Sequence, residues 1–69
     1  MKVGERYHYL QSPWEMIIEI AAINDENSID VIIMQLIKPC DTTKVGKLET
    51  KWAAKKVGKY TLLPNQDKP

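Results

Sequence analysis

Apolar and polar side chains alternate with a period of two through most of this chain. Val3, Tyr7 and Tyr9 share one face, opposite Arg6 and His8. Further on, Leu48, Thr50 and Trp52 stand opposite Lys47, Glu49 and Lys51, and near the end Tyr60 and Leu62 stand opposite Thr61 and Leu63. Alternation with aromatic and β-branched members predicts strands that bury one face. Residues 29–37 are rich in β-branched side chains and predict another strand, entered through the turn formers Asn24, Asp25, Glu26, Asn27 and Ser28.

The segment 13–23 admits two readings. As a strand it places Trp14, Met16, Ile18, Ile20 and Ala22 on one face, with Glu15 and Glu19 on the other. As a helix it begins with a capping box, Ser12 as N-cap, Pro13 at the first position and Glu15 at the third. The density of isoleucine and the short turn into 29–37 favour a long central hairpin. The helix remains the alternative and would make the fold α+β.

All three glycines fall in a repeated tripeptide, Lys2-Val3-Gly4, Lys44-Val45-Gly46 and Lys56-Val57-Gly58, each followed by a strand-like segment. Glycine suits the positive φ of a sharp turn, so each copy is expected to be a strand-entry turn with its valine tucked into the core. A phosphate-cradling loop needs several glycines together and a following helix, and neither is present. Five strands around one long hairpin predict a mainly β fold: a small SH3-like barrel or a strongly bent antiparallel sheet. Such folds carry many unrelated functions.

Size adds a constraint. A 69-residue chain is one small domain, expected over 1–64, with a polar tail at 65–69. Such a chain buries only about 60% of the surface that its unfolded form exposes. That leaves little material to cover both sides of the strand 29–37. Ile29, Val31, Ile33 and Ile37 share one face of it, interrupted by Gln35, while Ile32, Met34 and Leu36 occupy the other. The first set is expected to face outward, continued across the hairpin by Ile17, Ala21 and Ile23. An outer apolar patch of this kind predicts a protein partner or a homo-oligomer.

Charge supplies the second candidate surface. The net value of +1 hides an imbalance: residues 1–37 carry two basic and six acidic side chains, and residues 38–59 carry seven lysines against Asp41 and Glu49. Lys44, Lys47, Lys51, Lys55, Lys56 and Lys59, interleaved with Trp52 and Tyr60, are expected to form a face able to meet a nucleic-acid backbone. The absence of arginine from this stretch weakens that reading, and lysines also protect exposed strand edges.

Catalytic chemistry has little to work with. The chain holds one histidine, one cysteine and one arginine, so His8 and Cys40 make the only base–nucleophile pair, and they sit in unrelated segments. A structural zinc site needs about four clustered ligands. Asp25, Glu26 and Asp30 lack the glycine and terminal glutamate of a calcium loop. No catalytic residue, cofactor or metal is expected. The charged start of the chain does not resemble a secretory leader, and no apolar run approaches a membrane span, so a cytoplasmic location is expected. The leading expectation is a non-enzymatic protein-interaction module, with nucleic-acid binding as the alternative.

Overall fold

A computed structural model describes residues 1–38 and 41–64. Its elements are β1 (Arg6–Gln11), β2 (Trp14–Asp25), β3 (Ser28–Leu36), β4 (Leu48–Ala53), a four-residue helix α1 (Ala54–Val57) and β5 (Thr61–Leu62). The strands form one bent antiparallel sheet in the order β4–β3–β2–β1–β5. It does not close: β4 and β5 are its two edges, and α1 links them along the chain. The mainly β expectation holds. The tail 65–69 and the pair Pro39 and Cys40 lie outside the described residues. None of the described helices is long and apolar enough to cross a membrane.

The ambiguous segment is strand. Gln11 pairs with Trp14, so Ser12 and Pro13 form a two-residue hairpin turn instead of a helix start. From there β2 runs for twelve residues and carries the central pairing with both β1 and β3.

Two of the three Lys-Val-Gly copies are strand-entry turns, and they are built alike. Lys2 O accepts from Glu5 N at 3.2 Å, and Lys44 O accepts from Lys47 N at 3.1 Å. Gly4 and Gly46 take φ of 94° and 89°, the left-handed value that the third position of a type II turn requires. Each glycine N–H then donates to a buried isoleucine of a central strand, Gly4 to Ile20 O at 2.8 Å and Gly46 to Ile33 O at 2.7 Å. The same isoleucines return the bond, Ile20 N to Glu5 O and Ile33 N to Lys47 O. One device thus docks β1 onto β2 and β4 onto β3. The valines of these copies are exposed, contrary to expectation. The third copy differs: Val57 ends α1 and is buried, and Gly58 caps the helix with an ordinary φ of −62°.

The interior is formed by Tyr7 and Tyr9 of β1, Met16, Ile18 and Ile20 of β2, Ile29, Val31 and Ile33 of β3, and Val57. This corrects the expected facing of β3. Ile29, Val31 and Ile33 are 0% exposed and belong to the core, not to an outer patch. The cause is register, because a one-residue shift exchanges every inward and outward side chain. Ile18 pairs with Ile33 and Ile20 with Val31, so the buried row of β2 selects the odd-numbered row of β3. Ile17 does face outward, opposite Gln35, and is half-buried. Ile23 and Ile37 are exposed at opposite ends of the hairpin, so the six residues expected to form one interface are dispersed.

Register shifts interrupt the pairing at three places between β2 and β3 and at one between β3 and β4, and two of the four re-aim side chains near the core. Between the pairs Ile17–Gln35 and Ile18–Ile33 the residue Met34 is extra, so Gln35 turns outward and Leu36 packs back onto the core. Between Ile29–Trp52 and Val31–Glu49, Thr50 and Lys51 both oppose Asp30. Lys51 takes φ of 61° there, and its backbone N–H donates to Asp30 Oδ1 at 3.2 Å, which satisfies the displaced amide. Leu48 and Trp52 therefore end on opposite faces, where plain alternation puts them together.

Candidate functional site: an aromatic groove

The bulge in β4 turns Trp52 inward onto Tyr9, with ring centroids 5.1 Å apart and planes inclined by 52°. Tyr60, just before β5, packs on Tyr9 as well, with centroids 4.6 Å apart. Tilted pairs at these separations suit the ring quadrupoles. Tyr9 donates its hydroxyl hydrogen bond to Gln11 Oε1 at 2.7 Å. Burial pushes the Tyr9 phenol above its ordinary pKa, partly offset by Tyr60, and burial with the adjacent Glu5 carboxylate raises that of Tyr7.

Tyr9 and Trp52 form one side of a groove of about 250 Å³, completed by Trp14, Met16, Thr42, Thr43 and Glu49. Trp14 stands at the start of β2, beside the Ser12–Pro13 turn, and leaves 41% of its surface exposed. Glu49 shares the inward side of β4 because it pairs with Val31. Its Oε2 accepts from Thr43 Oγ1 at 2.9 Å and lies 3.3 Å from Lys47 Nζ. A polar wall thus meets an aromatic corner, the usual composition of a small-ligand or peptide-contact site.

The lysines do not join it. Lys44, Lys47, Lys51, Lys55, Lys56 and Lys59 are all exposed along the turn before β4, β4 itself, α1 and the residues after it. Trp52 and Tyr60, expected to interleave with them, pack on Tyr9 instead. No lysine lines the groove. Among the described residues only Lys47 of this set is ion-paired.

The outer face of the sheet carries its own polar order. Arg6 Nε donates to Glu19 Oε1 at 2.9 Å between directly opposed residues. His8 Nε2 and Glu15 Oε2 lie 2.6 Å apart on the diagonal across Ile17. Leu48, opposite Ile32, adds an exposed apolar side chain. Among the described residues there is no cluster of three metal-ligating side chains, and Cys40, the partner considered for His8, falls outside them.

The groove was not expected from the sequence. Its members come from β1, β2, β4 and residues 42–43, and the bulge that brings Trp52 and Glu49 to one side breaks the alternation that would reveal it. No protein-family model matches the chain, no curated protein is significantly similar to it, and no solved structure matches it.

Proposed function

We propose that the protein is a small non-enzymatic module that binds another protein through the aromatic groove. One observation carries this reading: two tryptophans and a tyrosine line an open groove, and one of them, Trp14, leaves 41% of its surface exposed. Exposed tryptophan beside a packed aromatic floor is the composition of binding hot spots. The strand order and the short helix between β4 and β5 support the finer reading as an open SH3-like barrel. The dispersal of the six residues expected to form one interface withdraws their support from self-association through the hairpin.

Selection of a displayed random-peptide library on the intact protein tests this. Enriched peptides should bind the unaltered protein and lose roughly tenfold or more in affinity to W14A, with its melting temperature unchanged. A library that yields no Trp14-dependent binder overturns the reading. Retention on single-stranded RNA at low salt, lost when Lys51, Lys55 and Lys56 become glutamate, would establish the nucleic-acid alternative in its place.

A further inference from the structure

The groove combines three features that select among ligands. Three of its lining residues are aromatic, Tyr9, Trp14 and Trp52, with the Tyr9 and Trp52 rings packed at 52° and Trp14 the most exposed of the three. Its remaining apolar lining is Met16, a soft and polarisable side chain. Its one ionised lining group is the Glu49 carboxylate, which uses Oε2 for Thr43 and Lys47 while the second oxygen makes no hydrogen bond among the described residues. Aromatic rings and a carboxylate both attract a cation, so a cation suits this lining better than an anion.

The kind of cation follows from hydrogen-bond supply. A primary ammonium brings three N–H donors and a guanidinium brings five, and burying them unpaired is costly. Here the aromatic and thioether walls accept none well, and the Glu49 carboxylate and the Thr42 carbonyl are already shared with Lys47. A methylated ammonium has few or no donors to satisfy and keeps its charge behind an apolar skin. The volume of about 250 Å³ is below that of a drug-sized pocket and suits a head group, not a whole cofactor. The chain's own ammonium, Lys47 Nζ, sits 3.3 Å from the carboxylate, outside the groove lining.

We infer that the groove recognises a methylated lysine side chain of a partner protein, held between Tyr9, Trp14 and Trp52 with Glu49 supplying the countercharge. This rests on the groove-binding reading and names its ligand. Lys47, which is exposed and shares the carboxylate, then acts as an internal competitor.

The test is a titration followed by the indole N–H signals of Trp14 and Trp52 and the methyl signal of Met16. The probes are N-acetyl-trimethyllysine amide, its unmethylated lysine counterpart and the uncharged norleucine counterpart. Saturable shifts are expected with the trimethylated probe, and roughly tenfold weaker binding with each of the others. E49Q and W14A should each weaken the trimethylated probe several-fold, and K47Q should leave it equal or tighter; thermal melts of all three verify folding. Equal binding of the norleucine probe, tighter binding of unmethylated lysine, or no saturable shift up to about 100 mM overturns the inference. Phosphatidylcholine vesicles are the second arm: Trp14-dependent vesicle binding with no response to the trimethylated probe assigns the groove to a lipid head group and overturns it too. Library peptides that bind through Trp14 without methylated lysine leave the module reading standing and remove only this ligand.

Discussion

The two faces of the β2–β3 hairpin are almost equally apolar in sequence and entirely different in the folded protein. Inside, Ile18, Ile20, Ile29, Val31 and Ile33 are fully buried. Outside, Ile17 and Ile32 remain half-exposed, framed by the Arg6–Glu19 and His8–Glu15 contacts. Hydrophobicity alone does not separate the two faces. Register does, and register is set by the buried row of β2 and by the two glycine turns that pin β1 and β4 to the central strands. The outer face keeps apolar side chains because a small sheet has too few polar residues to cover itself, and it interrupts them with charge.

The sharpest way to break the comparison is to put the same charge on each face. Ile33→Lys places an ammonium in an interior with no polar partner, at a cost of several kcal/mol, comparable with the whole stability of so small a domain. Far-UV circular dichroism should show an unfolded chain. Ile32→Lys, one residue away, should cost under about 1 kcal/mol in urea unfolding, because its stem can lie along the sheet with the ammonium in water. A folded Ile33→Lys protein, or an unfolded Ile32→Lys protein, would reverse the assignment of faces.

The turns come next. Gly4 and Gly46 have no atom within 4 Å of where a Cβ would stand, so alanine there meets no clash and incurs only the penalty of positive φ. Each substitution should cost about 1–2 kcal/mol, the two by similar amounts, because the devices match bond for bond. Gly58→Ala should be near neutral: its φ is −62° and the nearest atom to the added carbon is 3.4 Å away. Urea midpoints of the three variants measure this. A Gly58 effect as large as the other two would mean that the third tripeptide shares the role of the first two.

Much of this was legible before the structure. Alternation placed Tyr7, Tyr9, Met16, Ile18 and Ile20 on buried rows, and the tripeptides marked where β1 and β4 begin. The facing of β3 was not legible from alternation, since both its rows are apolar. Asp30 was the available signal. It stands in the row of Ile32, and a carboxylate belongs outside. The groove depended on the Thr50–Lys51 bulge, where a lysine adopts a conformation that residue type does not advertise. Bulges shift phase without leaving a compositional mark, so sites assembled across them escape pattern reading.

Alkaline titration gives a smaller effect confined to the inner face. Tyr7 and Tyr9 have raised pKa values in the folded protein, both chiefly through burial. The unfolded chain therefore loses these protons first. Their contribution to stability is fully present below the ordinary tyrosine value of about 10 and is lost as pH rises through the raised folded values. Tyrosinate absorbance followed with pH should show these two ionising above the ordinary tyrosine range. Ionisation of Tyr7 and Tyr9 within the ordinary tyrosine range in the folded protein would contradict the burial of the inner row.

The smallest effect expected is the most informative about the outer face. Arg6 and Glu19 are directly opposed across β1 and β2, with side chains 34% and 27% exposed. A pair so placed should couple by about 0.2–1 kcal/mol in a double-mutant cycle, because water and salt screen it. The cycle would use Arg6→Met and Glu19→Gln, which keep the bulk of both side chains while removing the charges. On a solvated face the coupling should shrink with added salt and stay the same at all protein concentrations. If Ile17, Ile32 and Leu48 are instead covered by a second copy, assembly would dry the pair, and its coupling should grow as concentration rises while salt ceases to weaken it. That result would restore self-association through the hairpin, by the face opposite to the one its isoleucine row suggests. A small, salt-sensitive and concentration-independent coupling leaves the outer face to water.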